Sequence, residues 1–496
     1  MGKNIIANII GKFWGVFSVF IFVPLYIKIL GFESYTLISF TLIIAGLLAF
    51  LDSGLTSTLS REMARKDVDL YEKTLTFKTF ESIYLMIIIF VIGLIFFSST
   101  EITNNWIRVK QNPEKVSYYL KIVSFDIALQ LYFRFNLGGL LGLEKQIKAN
   151  AIQISWGVLR NGMVVVAIIF YPTLEMFFIW QTTATLIFCF ITKYLLKKEL
   201  SMDNRLTWKP IINKEVLKKN YKFAVGMLLI SVVAGINTQI DKFIISKNIS
   251  LTELGYYTLA TSLGVGIISV ISPISVATLP RFTALYSEGK KEETIRLFNS
   301  MNLLVSVISF SLMSTMIIFP KEILWIWTGD LSLANQAKIF LPYMAIAYTT
   351  LCIVYIPFNI AVANGYTKIN NYLGVISLLI TVPGYYYLSK HYGALGVVIL
   401  FCSVQILSNT IYFALINKKF LHTKLISTLL KTVLIPLILS ISIAFLLSLF
   451  QVIHYENRIL SLLWIGFVTI ITFVISAFTL INHPLIDKIK LKMNHK

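Results

Sequence analysis

Apolar runs about as long as a membrane-spanning helix recur along the whole chain, and they limit its fold more than any other feature. Inside a bilayer the backbone polar groups must be satisfied internally, which a helix does within its own segment. The 496 residues are 56% hydrophobic and 14% charged, with a mean hydropathy of +0.76. A soluble chain of this length needs a far more polar surface. The sequence therefore predicts an all-α polytopic membrane protein.

About 14 transmembrane helices are predicted from these runs. They lie near residues 5–29, 35–59, 79–99, 117–142, 150–171, 174–196, 221–246, 254–279, 299–320, 337–363, 369–389, 393–416, 425–450 and 458–481. If these runs cross the membrane one after another, most lysines and arginines lie on the same side of the membrane as the N-terminus. Basic loops stay on the cytoplasmic side of a membrane, so both termini are predicted to be cytoplasmic. The net charge of +20 has the same explanation, and no nucleic-acid partner is expected.

A basic joint from Lys193 to Lys222 divides the chain, with nine lysines and arginines among apolar neighbours. The predicted organisation is an N-terminal six-helix lobe, a cytoplasmic basic linker, a C-terminal six-helix lobe, and a final helix pair with a basic tail. The corresponding residues are 1–198, 199–220, 221–420 and 421–496.

The two predicted lobes repeat one another. GFESY and SREMARKD in the first half match ELGYY and PRFTALYSEGKK in the second, which aligns Tyr35 with Tyr257 and Arg61 with Arg281. A repeat with an even number of spans keeps its orientation, so the lobes are expected to be related by an axis along the membrane normal, as in transporters. Duplication alone does not establish transport, and a non-transporting membrane scaffold for glycan assembly is the alternative.

Spans four and five each carry a polar stripe that includes an arginine. Residues four or three apart share one helical face. The stripes are Asp126, Gln130 and Arg134 in span four, and Gln153, Trp156 and Arg160 in span five. One interpretation is a cationic cavity wall that binds a substrate, because the planar guanidinium group engages phosphate oxygens in pairs. The other is an Asp126–Arg134 pair that only holds helices together.

Further ionisable residues lie within or near the ends of spans two and seven. Asn237 and Asp241 are four residues apart in span seven, with Lys242 beside the carboxylate, and Asp52 lies in span two. These four residues are candidates for coupling to H⁺ or Na⁺, or for gating. Asp241 can alternatively be neutralised by Lys242. No metal-ligand pattern, nucleophile arrangement or nucleotide-binding loop is present in the sequence, so a transporter without a cofactor is expected rather than an enzyme.

Several stretches resemble a known family. They are KNIIANIIGKFWGVFSVFIFVPLYIKILGFESYTLISF followed by LDSGLTSTLSREMAR, then NTQIDKFIIS followed by ELGYYTLA, and ANGYTKINNYLGVISLLI. They resemble the Wzx-type oligosaccharide and polysaccharide flippases of the multidrug/oligosaccharidyl-lipid/polysaccharide exporter (MOP) superfamily. The resemblance covers residues 1 to about 420.

The resemblance implies two six-helix lobes that form a V, open first to one side and then to the other. It implies a cargo of undecaprenyl-pyrophosphate-linked glycan, moved from the cytoplasmic to the outer leaflet of the bacterial inner membrane. That step serves surface polysaccharide such as O-antigen, lipopolysaccharide or capsule, beside a polysaccharide polymerase and a chain-length regulator. Arg134 and Arg160 would suit the cationic cavity of the family, and Asp241 stands at its acidic position in span seven.

The final pair, residues 425–481, departs from the twelve spans of many Wzx-type members. The lipid II flippases of the same superfamily have fourteen, which makes lipid II an alternative cargo. Their several arginines in spans one and two are absent here, and Lys12 and Lys28 are the nearest substitutes. A cation-coupled multidrug exporter of the same fold is a further alternative, with Asp52, Asp126 and Asp241 as its ion sites.

Overall fold

The computed structural model describes residues 18–107, 112–200, 211–366, 368–450, 452–453 and 455–481. The N-terminal helices are α1 Ser18–Leu30, α2 Phe32–Ala64, α3 Leu70–Glu101, α4 Pro113–Gly142, α5 Gln146–Phe170, α6 Leu174–Glu199 and α7 Lys214–Asn248. The others are α8 Leu251–Ser287, α9 Lys291–Ile318, α10 Pro320–Thr328, α11 Leu331–Ala337, α12 Leu341–Ala363, α13 368–392, α14 394–416, α15 Leu425–Ser448 and α16 Arg458–Ile481.

Fourteen of the sixteen helices in the described residues correspond to the predicted spans. The exceptions are α10 and α11, which have 9 and 7 residues and are too short to cross a membrane. By length and composition alone, eleven helical stretches in the described residues are long and apolar enough to cross a membrane, with α13 and α14 counted as one stretch. The all-α polytopic prediction is therefore confirmed. Lys12 and the rest of the first span before Ser18, residues 201–210 of the linker and residues 482–496 of the tail lie outside the described residues.

A single glycine separates α13 from α14. Gly393 has φ 62° and ψ −157°, a conformation that side chains with a Cβ disfavour strongly. The helix therefore breaks at the boundary predicted between the eleventh and twelfth spans.

Contacts divide the chain into two units, residues 1–255 and 256–496. Helix α7 belongs to the first unit because it packs along α2. Small residues permit this approach: the Gln239 side chain lies against Gly46, and Leu228 lies against Gly54. The four segments predicted from the sequence, with the linker at 199–220, stay a prediction.

Helix α4 is the central packing element of the N-terminal unit, where it contacts α2, α3 and α6. Gly138 and Gly142 place its backbone against Thr56 and Ser60 of α2. On the side of α3, the Phe135 ring stacks on Tyr84 with ring centroids 4.5 Å apart. Close glycine contacts and aromatic packing are the interactions that join helices in a bilayer, where the hydrophobic effect between helices is weak.

The C-terminal unit has a core formed by α8, α9, α12 and α14, with the final helix pair packed beside it. A smaller cluster joins Phe319 to Ala444 of α15 and to Ile465 and Val468 of α16. The Ser440 and Ser476 hydroxyls lie 3.0 Å apart and connect the two helices of the pair. The final pair is therefore a packed part of this unit.

Residues matched by the internal repeat have matching environments. Tyr35 near the start of α2 and Tyr257 near the start of α8 are both buried. Arg61 and Arg281 are both more than half exposed, and Arg281 lies 3.6 Å from Glu293. This agreement, unit by unit, supports the alignment of the two halves.

Gly142→Ala tests the close contact between α4 and α2. The new methyl group would meet the Ser60 carbonyl oxygen and, at 2.8 Å, the Met63 Cβ. Backbone atoms cannot rotate away, so we expect the free energy of unfolding to fall by about 1–3 kcal/mol, as overpacking does elsewhere. Unfolding of the purified protein by SDS titration in mild detergent measures the change.

Gly226→Ala is the matched control, because no atom lies within 4 Å of the position that its Cβ would take. Both variants gain the same helix propensity, so their difference isolates the steric contact. Equal stability of the two variants would show that the α2–α4 contact is looser than described.

Candidate functional site

Asp126 of α4 is the centre of a buried polar cluster in the N-terminal unit. Its Oδ2 accepts hydrogen bonds from Arg160 of α5 at 2.7 Å and from Gln130 at 2.9 Å. Its Oδ1 accepts a hydrogen bond from the Thr185 hydroxyl of α6 at 3.1 Å. The same hydroxyl oxygen accepts a hydrogen bond from the Trp156 ring N–H at 3.4 Å. Three helices therefore meet at one carboxylate, which is 4% exposed.

Arg160 reaches this carboxylate from a π-helical turn, Val158–Gly162, inside α5. A π turn adds a residue to the helical repeat and rotates the positions after it. Donors outside the turn satisfy three of its carbonyl groups. The Tyr26 hydroxyl donates to the Asn161 carbonyl oxygen at 2.6 Å, the Trp180 ring N–H to that of Leu159 at 2.9 Å, and the Gln181 amide to that of Arg160 at 3.2 Å. Neighbouring helices α1 and α6 thus hold the turn and fix the direction of the arginine.

The Arg160 guanidinium group is enclosed. Its carbon lies 5.3 Å from the centre of the Trp156 ring, and the residue is only 8% exposed. Its Nε has no hydrogen-bond partner among the described residues. The ion pair in this cluster is Asp126–Arg160, and no direct Asp126–Arg134 pair is present among the described residues. The prediction that Arg160 contacts substrate stays a prediction.

A second cluster surrounds Asp52 of α2, which is 7% exposed. The Tyr84 hydroxyl of α3 donates to its Oδ1 at 2.7 Å, and the Thr56 hydroxyl one turn along α2 donates to the same atom. Tyr84 also lies 2.9 Å from the Leu131 carbonyl oxygen of α4. Arg134 is within electrostatic range of the Asp52 carboxylate. Asp52 therefore belongs with Arg134 rather than with the Asp126 cluster.

Arg134 differs from Arg160 in its surroundings. It is exposed, and it forms no ion pair or hydrogen bond with the residues that the structure describes. It follows Asp126 by eight residues, which places it about 12 Å further along α4. An arginine within a membrane span requires water, a cavity or an anionic partner. Arg134 is therefore a cation of this unit that is open to a ligand.

The other predicted residues lie outside these two clusters. In α7 the Lys242 Nζ is 3.4 Å from Asp241 Oδ1 and 2.9 Å from the Thr238 carbonyl oxygen. This is the local ion pair that the sequence allowed. Asn237 bonds the Val233 carbonyl oxygen of its own helix at 3.0 Å. Gln153 is exposed on α5. Roles of these residues in binding, coupling or gating stay predictions.

Sequence reasoning missed Tyr84 and Thr185, which bond Asp52 and Asp126. Neither carries a charge, and polar neutral residues are common in spans, so only their partners reveal them. It also missed the pair of Glu81 in α3 with Lys193 in α6 at 2.7 Å. A signal existed there, because Glu81 and Lys193 stand at the ends of apolar runs where charged residues are costly.

The described residues hold no group of three or more metal-ligating side chains. Their clusters consist of ion pairs, hydroxyl groups and one open arginine. Ion pairs and hydroxyl groups of this kind orient helices, and the open arginine can bind an anion.

A family model described as polysaccharide biosynthesis protein matches residues 1–286, more than half of the chain. A second model, described as MatE, matches residues 225–387. The two matches overlap in α7 and α8 and together extend over most of the chain.

Individual proteins resemble the chain at low identity. A Shigella flexneri protein named for O-antigen transport is 20% identical over 381 residues, which are 75% of this chain and 86% of that protein. The lipid II flippase MurJ in an inward closed conformation superposes with a TM-score of 0.73 at 16% identity, covering 96% of this chain and 98% of its own. An inward-facing multidrug resistance MATE transporter of the MOP superfamily superposes with a TM-score of 0.62 at 14% identity, covering 82% of this chain and 95% of its own. The structures share the fold.

A double-mutant cycle tests the buried pair. Asp126→Asn leaves the Arg160 charge without its partner, so we expect a loss of about 3–5 kcal/mol in the free energy of unfolding. Asp126→Asn/Arg160→Gln removes both charges, and its loss is expected to be well below the sum of the two single losses. SDS unfolding in detergent measures all four proteins.

The control cycle uses Glu292 and Arg296, which lie 3.7 Å apart and are largely exposed. Exposed pairs contribute up to about 1 kcal/mol, so that cycle should show a small coupling energy. Additive losses at Asp126 and Arg160 would refute the assigned ion pair.

Proposed function

Because the chain belongs to the polysaccharide biosynthesis protein family, we propose that it flips undecaprenyl-pyrophosphate-linked oligosaccharide across a bacterial inner membrane. It is a multi-pass membrane transporter with the MOP fold, as the comparisons with known proteins show, and the sequence-based family assignment is confirmed. The proposed direction is from the cytoplasmic to the outer leaflet by alternating access, and the product serves surface polysaccharide. The proposed partners are a polymerase and a chain-length regulator.

The observation that carries the cargo assignment is the open guanidinium group of Arg134. A pyrophosphate has several anionic oxygens, and arginine binds two of them at once through its planar fork. Asp52, the acidic group in electrostatic range, is already hydrogen-bonded by Tyr84 and Thr56. We assign Arg134 to the pyrophosphate of the cargo.

The Asp126–Arg160 pair has a positioning role in this proposal. It fixes α4 against α5 and α6, and Arg134 stands on the same helix as Asp126. Gln130 completes the cluster and Trp156 encloses it, while the exposed Gln153 is assigned to the sugar units of the cargo. An amide group suits sugars because it offers both hydrogen-bond donors and an acceptor.

Asp52 is proposed as the coupling carboxylate. An anionic cargo and the Asp52 carboxylate compete for the charge of Arg134, so protonation of Asp52 strengthens cargo binding. Asp241 is a weaker candidate because Lys242 already pairs with it. The coupling ion in this scheme is H⁺.

Lipid II is the second candidate cargo. The MurJ likeness covers 96% of the chain and therefore includes the final helix pair. A cation-coupled drug exporter is disfavoured, since Asp126 and Asp241 each have a cationic partner and Asp52 lies within range of Arg134. Lipid II also carries a pyrophosphate between its prenyl chain and its sugars, so a cellular assay has to distinguish lipid II from the proposed cargo.

Arg134→Ala in the native host tests the cargo and the site together. We expect loss of surface glycan by about an order of magnitude or more, because an open arginine–phosphate contact is a strong charge-assisted interaction. Lipid-linked glycan should accumulate in the cytoplasmic leaflet, as in a deletion strain. A leaflet-specific labelling assay on inverted vesicles measures the accumulation, and Arg134→Lys should restore part of the export.

Arg296→Ala is the charge-matched control, since Arg296 is exposed and pairs only within its own helix turn. Normal surface glycan in the Arg134→Ala strain would overturn the assignment of that arginine. Cell lysis with intact surface glycan in the deletion strain would instead favour lipid II, and new drug sensitivity alone would favour export of drugs.

Asp52→Asn tests the coupling scheme. The amide keeps an acceptor for Tyr84 and Thr56 but cannot be protonated at the pH of the assay. We expect transport in proteoliposomes to lose its dependence on an imposed pH gradient while cargo still binds. Asp67→Asn is the control, because Asp67 lies in the exposed turn before α3 and pairs with Arg65. A wild-type pH response in Asp52→Asn would exclude Asp52 as the coupling group.

A further inference from the structure

A pocket with two lysines in its lining lies in the C-terminal unit, where the start of α15 meets α9. Its volume is about 320 Å³. The lining combines cationic, hydroxyl and amide groups, which are Lys424, Lys431, Ser427, Thr428, Thr432 and Asn299. None of these residues has a place in the proposed transport site, which is built in the N-terminal unit.

The two lysines of the pocket carry uncompensated charge. Neither forms an ion pair with a residue that the structure describes, whereas the acidic residues at the start of α9 have partners. Glu292 lies 3.7 Å from Arg296, and Glu293 lies 3.6 Å from Arg281. The pocket is therefore positive and complements an anion.

Asn299, one of the residues that line the pocket, has an acceptor that lacks a donor. The Asn299 side-chain oxygen is buried and has no hydrogen-bond partner among the described residues. One turn along α9, Asn302 donates to the Thr432 hydroxyl at 2.9 Å, which fixes that part of the wall. A buried acceptor without a partner is costly, so a ligand with a hydroxyl group gains by filling it.

An apolar surface begins directly beside the pocket. Ile426, Leu430, Leu434 and Ile438 of α15 are 74%, 45%, 40% and 62% exposed. In a spanning helix such side chains face the acyl chains of the bilayer. A molecule seated in the pocket is thus next to lipid, which favours a membrane lipid over a soluble phosphate.

We infer that this pocket binds the headgroup of an anionic glycerophospholipid whose headgroup carries a hydroxyl, such as phosphatidylglycerol. The phosphate lies between Lys424 and Lys431, the headgroup hydroxyl donates to Asn299, and the acyl chains follow the exposed face of α15. Bound in this way, the lipid fastens the first turns of α15 to α9. The leaflet is the one that faces the connection between α14 and α15, residues 417–424, which the charge distribution assigns to the cytoplasmic side.

The test is lipid binding to the purified full-length protein, measured by native mass spectrometry. Phosphatidylglycerol is titrated against phosphatidylethanolamine, for wild type and for Lys424→Gln/Lys431→Gln. We expect the double variant to bind phosphatidylglycerol about 10- to 30-fold more weakly, the effect of two lysines near an anionic lipid. Lys290→Gln/Lys291→Gln removes the same charge from an exposed turn of this unit and should leave the affinity unchanged. An equal loss in both double variants would overturn the proposal.

Phosphatidylmethanol supplies the same anionic phosphodiester without a hydroxyl and so tests the Asn299 contact. Wild type should prefer phosphatidylglycerol, and Asn299→Leu should bind the two lipids alike. Lys424→Arg/Lys431→Arg should keep most of the affinity, which separates loss of a site from loss of the fold.

Glycerol 3-phosphate and inorganic phosphate are the soluble probes. Displacement of the lipid by either at equal concentration would overturn the lipid assignment in favour of a soluble phosphate. The lipid-binding measurement does not depend on glycan export. A negative result for lipid binding would therefore leave the proposed function untouched, and a negative result for export would leave the lipid site untouched.

Discussion

The structure of the N-terminal unit depends on one ion pair within the membrane, Asp126 with Arg160. Either charge alone at the middle of a span costs about 2.5–3.5 kcal/mol on insertion scales. Paired at 2.7 Å, with Gln130 on the same oxygen and Thr185 on the other, the carboxylate has a hydrogen-bond partner on each of its oxygens. The pair holds α4, α5 and α6 in one arrangement, so the rotation of α4 about its axis is set. That rotation decides where Arg134 of α4 lies.

Two arginines that look equivalent in the sequence therefore have different surroundings. Arg160 is enclosed by Trp156 and the Asp126 carboxylate, where its ion pair connects α5 to α4. Arg134 is exposed and stands about 12 Å further along α4, near the hydrogen-bonded Asp52. A buried ion pair has little charge left for a ligand, whereas an open guanidinium group keeps its full binding capacity. The proposed anionic cargo therefore suits the open arginine better than the paired one.

The helices, the family and the polar positions could be predicted from the sequence, because apolar length and the cost of charges in spans leave direct traces there. The contacts could not. The partner of Asp126 lies 34 residues away on another helix, and the spacing that predicted one stripe for Gln153, Trp156 and Arg160 assumed a regular helix. The π turn at Val158–Gly162 breaks that assumption, and it persists only because Tyr26, Trp180 and Gln181 bind its carbonyl groups from two neighbouring helices. Such a turn depends on tertiary contacts, so the local sequence pattern does not predict it.

Two cationic places, Arg134 and the Lys424–Lys431 pocket, differ in the ligand that they suit. Arg134 lies within a span, where an anion arrives only inside a hydrated path and must leave again, which fits a transported group. Lys424 and Lys431 stand at the start of a span beside exposed apolar side chains, where an anion can remain attached to acyl chains in the bilayer. A transient ligand needs an arginine that is free to release it, while a resident ligand gains from further contacts such as the Asn299 amide. The chemistry around each cation thus separates cargo from membrane within a single chain.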